Sequence, residues 1–185
     1  EDEVWRFADS AKLLHPKATL VWRADDLYRL VVQHLANSPA AGAAFRATLA
    51  QHSGVRWSEA RGAYPLPRDL PPDALRWVID DLAGPWVGRS ATRGFTWTWI
   101  PTHLADAKRR LSPRSILLAF REAAEWTEQH QRSDVRALHF QGVQQGVVQA
   151  SRIRVRELQE DYPWVEPLLR ALSRSTVPLS VDELA

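Results

Sequence analysis

The 185 residues include no cysteine and no methionine. The first absence excludes disulfides and thiolate zinc sites and says nothing about compartment. The second removes the natural initiator, so a piece of a longer protein is expected. An excess of one charge is missing too: 24 Lys and Arg face 22 Asp and Glu, a net of +2. A surface so nearly balanced favours neither a strong nucleic-acid footprint nor an acidic partner. No apolar run approaches the ~18 residues of a membrane span and no secretory signal is visible, so a cytoplasmic location without a membrane is expected. There is no Gly-rich Lys-Ser/Thr phosphate loop and no apolar strand ending in a metal-binding acid. Nor is there a Ser-His-Asp order, a paired-carboxylate motif or a zinc spacing. His103 and Asp106 stand three apart, but no third ligand accompanies them. We therefore expect no catalytic centre and no metal site within the chain.

What is abundant is tryptophan, nine in all, in a chain long enough for one domain with a sizeable core or two small helical subdomains. Asp25 and Asp26 give a helix start its negative charge. Leu27, Leu30, Val31, His34 and Leu35 follow helical spacing until Asn37-Ser38-Pro39 ends the run. Thr19-Leu20-Val21-Trp22 before it reads as a short extended segment. A second short helix is expected from Gly42 to Gln51. Residues 54–72 are rich in Pro, Gly and Arg and read as a loop. Pro71 or Pro72 then opens a helix carrying Leu75, Val78, Ile79 and Leu82, closed by Gly84-Pro85. Phe95, Trp97 and Trp99 alternate with Thr96 and Thr98, a strand pattern that buries the aromatics rather than offering them to bases. Thr102 is placed to cap a short helix through Ala105 and Arg109. A long helix is expected from Asp134 to Asp161, weakened by ~1 kcal/mol at each of Gly142 and Gly146. A last helix runs from about Trp164 to Ser173. Ser180 and Glu183 have capping-box spacing, announcing a helix that is not built.

The most informative stretch is Leu111 to Ala124. Ser112 suits an N-cap and Pro113 the first helical position. Ile116, Phe120, Ala123, Ala124 and Thr127 mark a buried face. Arg114 falls in the first turn, where a cation opposes the helix dipole. Its charge is better used by an anion outside the helix. The plain alternative is a surface arginine paired with Asp106, Glu122 or a partner's carboxylate.

This stretch resembles the helical lid of AAA-plus and STAND-type P-loop ATPases, where a Pro-Arg pair opens a lid helix. Leu20 to Leu30 is similar to the exit from the ATPase core in those proteins. Leu82 to Gly88, Thr98 to Ala107, and Ser151-Arg152-Ile153-Arg154-Val155-Arg156-Glu157-Leu158 with Asp161-Tyr162-Pro163-Trp164 are similar to bacterial ATPases labelled ParA-like or KAP-like. The resemblance implies that Arg114 and Ser112 contact nucleotide phosphate, with ATP and Mg bound by a core absent from this chain. It also implies signalling or antiviral defence, attached effector or sensor domains, and homo-oligomers.

Arg89 and Arg93, around a Gly-bearing loop, and Arg152 and Arg156, on one helical face, are further candidate anion contacts. The expected fold is mainly α, a lid-like helical bundle with a few short strands and the start of a winged-helix module. Residues 1–130 would form the lid-like region, and 131–185 C-terminal helices leading into a truncated domain. The rival reading is a free-standing helical module that binds DNA or another protein through Arg152 to Arg156.

Overall fold

A computed structural model describes residues 21–106 and 108–173. Within them the chain forms seven helices: α1 (Ala24–Ala36), α2 (Gly42–Ser53), α3 (Pro72–Ala83), α4 (Thr96–Leu104), α5 (Pro113–His130), α6 (Phe140–Asp161) and α7 (Val165–Leu172). A 3-10 turn at Ala91–Arg93 completes the regular structure. The expected strands and winged-helix start are corrected by this: the described residues contain no strand, only the isolated bridges Ala60–Ala63 and Trp86–Phe95. Thr19, Leu20 and the Ser180–Glu183 box lie outside the described residues.

The aromatic alternation fails as a strand because five residues of period two also fit the start of a helix. Phe95 is the N-cap of α4, and the buried positions are Thr96, Ile100 and Pro101. Thr96 is anchored twice, its hydroxyl donating to the Gly84 carbonyl at 2.6 Å and its amide to that of Pro85 at 3.0 Å. Trp97 and Trp99 lie half-buried against the core, while Phe95 is 46% exposed. Thr102 does not cap a new helix; its hydroxyl donates back to the Thr98 carbonyl inside α4. The stretch to Arg110 turns instead, with the Asp106 carboxylate accepting the amides of Lys108 and Arg110.

Two apolar clusters meet at α1. Leu27, Tyr28 and Val31 join Ile79, Ile100, Ile116, Ala119, Ala123, Val143 and Val147. Val32 points the other way, to Leu49, Val55, Leu70, Leu75 and Val78. Tyr28 stacks on Trp97, centroids 4.3 Å apart, and its hydroxyl donates to the Trp97 carbonyl at 2.8 Å. That carbonyl is free because its helical partner four residues on is Pro101, which has no N–H. Burial first, then Asp80 and Asp25, push the Tyr28 hydroxyl pKa well above its usual value.

The loop between α2 and α3 is held by α1. The Gln33 amide donates to the Tyr64 carbonyl at 2.8 Å and accepts the Leu66 amide at 2.6 Å. Asn37 both accepts from the Tyr64 amide and donates to its carbonyl, at 2.8 and 3.0 Å. The Arg46 guanidinium sits 3.5 Å over the Tyr64 ring.

In the hairpin of α5 and α6 the two helices approach backbone to backbone. A Cβ on Gly146 would strike the Ala119 carbonyl oxygen and lie 3.0 Å from the Ala123 amide nitrogen. One on Gly142 would meet the Thr127 hydroxyl at 2.5 Å and the Ala123 carbonyl at 2.7 Å. The glycines that weaken α6 on propensity are those that let its backbone approach α5. α6 starts at Phe140 rather than Asp134. His139 is its N-cap, with Nδ1 accepting from the Gln141 amide, while the His139 amide donates to the buried Thr127 hydroxyl at 3.0 Å. Burial on α6 ends at Ala150, and α7 buries no residue.

Candidate functional site

α5 begins as expected: Ser112 is extended at the N-cap and Pro113 opens the helix. The Ser112 hydroxyl makes no capping hydrogen bond, so its contribution here is backbone conformation alone. Arg114 stands in the first turn with its side chain 76% exposed. Its Nη1 lies 2.5 Å from Oε1 of Glu157, a carboxylate of α6 that is 25% exposed. Neither Asp106 nor Glu122 is the partner. Arg154 approaches the other oxygen of Glu157 at 3.4 Å, so one carboxylate stands between two guanidinium groups. Oε1 has no aligned hydrogen bond, and its contact with Arg114 is one of charge.

Arg114 edges a groove of about 790 Å³ floored by Val31, Leu35, Leu82, Leu117 and Phe120. Arg121, two turns further along α5, edges it as well. It bonds Glu122 at 2.7 Å and lies 3.5 Å from Glu125, and the bond to Glu122 raises its pKa further. The groove is thus apolar within and ionic at the rim, with both arginines already facing carboxylates.

The other anion candidates lie elsewhere. Arg89 lines a second cleft, between the loop after α3 and the turn before α6. Arg93 is not in that lining; its aliphatic stem lies across Gly88, with Cγ 3.0 Å from where a Cβ would stand. No phosphate cradle between the two is therefore assembled. Arg152 and Arg156 are exposed on distal α6, and neither has an ion-pair partner among the described residues. Their neighbour Arg154 is exposed as well.

His103 and Asp106 are engaged structurally. The His103 ring stacks on Trp99 and its Nδ1 donates to the Trp99 carbonyl at 2.8 Å. No group of three or more metal-ligating side chains is present among the described residues. No described helix is long and apolar enough to cross a membrane.

Sequence reasoning missed one pairing and two participants. Glu157 is distant in the chain, and only the hairpin register brings it to Arg114. Arg136 and Trp86 line the second cleft. The Ser133-Asp134 pair before Arg136 was a turn signal that could have exposed that arginine. No known protein family, curated protein or solved structure matches this chain.

Proposed function

We propose that this helical unit is the nucleotide-sensing lid of a bacterial P-loop ATPase, closing over ATP and Mg held by a core outside the chain. The carrying observation is Arg114, an exposed arginine in the first turn of an 18-residue helix, where the dipole gives it no local stabilisation. Its contact with Glu157 supplies the resting state of a switch. A phosphate arriving from the core competes with that carboxylate for the guanidinium, and the exchange alters the tie between α5 and distal α6. Such a device works through contacts that differ between two states. The resemblance to regulatory ATPases extends this to signalling or defence, with effector or sensor domains attached.

The test is Arg114→Ala in the parent protein. The expected result is impaired ATP-dependent switching, with folding stability changed by no more than about 0.5 kcal/mol, as for an exposed ion pair. Unaltered ATP affinity, turnover and output would overturn the reading, as would a parent sequence without a phosphate loop.

A helical module that binds DNA or another protein is the second reading, and a different observation favours it. Arg152 and Arg156 stand exposed near an α7 that buries nothing, with Trp164 63% exposed between them and α7. Salt-dependent duplex binding lost in Arg152→Ala and Arg156→Ala would favour it over the lid.

A further inference from the structure

The cleft that Arg89 lines has a volume of about 480 Å³, within the range of small-molecule sites. Its walls include Gly84, Trp86, Arg89, Asp134, Arg136 and His139. We propose that it binds a small anion carrying a planar ring, with Arg89 and Arg136 on the charged group and Trp86 against the ring.

Charge is the first ground. Arg76, Arg114, Arg121, Arg132, Arg154 and Arg170 each face a carboxylate. Arg89 and Arg136, like Arg152 and Arg156, face none among the described residues, and the first two line one cleft. The single carboxylate there, Asp134, is turned to the chain: Oδ1 accepts the Arg136 amide at 3.1 Å and Oδ2 lies 3.9 Å from His139 Nε2. Two guanidinium groups against one committed carboxylate leave a positive excess. Arginine forks suit phosphate and carboxylate alike.

Placement is the second. The Arg136 guanidinium rests against Gly84, with Nε 3.3 Å and Cζ 3.4 Å from where a Cβ would stand. Gly84 has φ +80°, a conformation that favours glycine. The Leu138 amide donates to the Leu82 carbonyl at 2.9 Å, fixing the Arg136 segment to the end of α3. Gln144 donates to the Val87 carbonyl at 3.3 Å, holding the Arg89 loop to α6. Both arginines therefore leave anchored backbone.

The ring is the third. His139 Nδ1 accepts from the Gln141 amide, which fixes its imidazole in the lining. Trp86 stays 40% exposed although its backbone is bridged to Phe95. An exposed indole beside guanidinium groups is suited to a flat ligand.

The experiment titrates the pure chain at low salt with AMP, benzoate and inorganic phosphate, followed by tryptophan fluorescence and calorimetry. A ring-bearing anion is expected to saturate, and Arg89→Ala and Arg136→Ala each to weaken it about tenfold or more. Trp86→Ala should weaken AMP or benzoate while leaving phosphate unchanged. Arg170→Ala, at an arginine paired with Glu166 on α7 and outside this lining, should leave all three unchanged. Tighter AMP identifies a phosphate head group and tighter benzoate a carboxylate. Absence of saturable binding, or binding that survives both arginine changes in folded protein, overturns the proposal.

Discussion

The α5–α6 hairpin and the α1–α4 half are both close-packed, by opposite means. In the hairpin, Ala119 and Ala123 face Gly142 and Gly146, and density comes from backbones brought together by missing side chains. Around α1, Tyr28, Trp97, Phe120 and Leu82 fill the space between helices with large side chains. Adding atoms should harm the first region and removing them the second. Composition alone suggests neither rule, since glycine in a helix and tryptophan in a threonine run both read locally as misfits.

Trp97→Ala gives the largest expected effect. The side chain packs against both apolar clusters and stacks on Tyr28, so its loss should cost about 3 kcal/mol or more, read by urea denaturation. A stable variant that instead lost single-strand binding would make this residue a base platform and end the comparison.

Gly146→Ala comes next and tests the sign. Propensity alone would stabilise α6 by about 1 kcal/mol. Collision with the Ala119 carbonyl and the Ala123 amide brings an overpacking cost of about 1–3 kcal/mol. Net destabilisation is expected in denaturant melts. A stabilised variant would show that the helices are not held so close.

Tyr28→Phe sharpens the aromatic side. At neutral pH it orphans the Trp97 carbonyl that Pro101 leaves without a helical donor, costing about 1–3 kcal/mol. Folding raises the Tyr28 pKa, so the tyrosine's contribution is full below the ordinary tyrosine value of about 10 and is lost as pH rises above it. The gap between wild type and variant should narrow by about 1.4 kcal/mol per pH unit there. A gap unchanged between about pH 9 and 11 would contradict that burial.

Much of the helical order was legible because punctuation and period agree. Asp25-Asp26 with Pro39, Pro72 with Gly84, and Ser112-Pro113 mark α1, α3 and α5 correctly. The α4 segment was misread because Thr96, rather than its tryptophan neighbours, is the anchored inward residue, tied to a carbonyl on the α3 side. The role of Gly142 and Gly146 was hidden because it depends on what lies across the helix interface. The position of Arg114 was readable from its cap, but Glu157 was not, since a pair between distant helices leaves no local spacing. The second cleft was half visible, through Arg89, while Arg136 joins it only by the path of the turn before α6.

The amide side chains of Gln33 and Asn37 give the Pro- and Gly-rich loop a property that its composition conceals. The backbone of Tyr64 and Leu66 has its hydrogen-bond partners on α1, so those amides become open to solvent exchange only when α1 loosens or its side chains let go. The segment thus unfolds with the first helix as one cooperative unit, where a surface loop would open independently. Protease nicking and tolerated insertions therefore belong at its exposed Arg61-Gly62 tip, away from the clamped residues that follow.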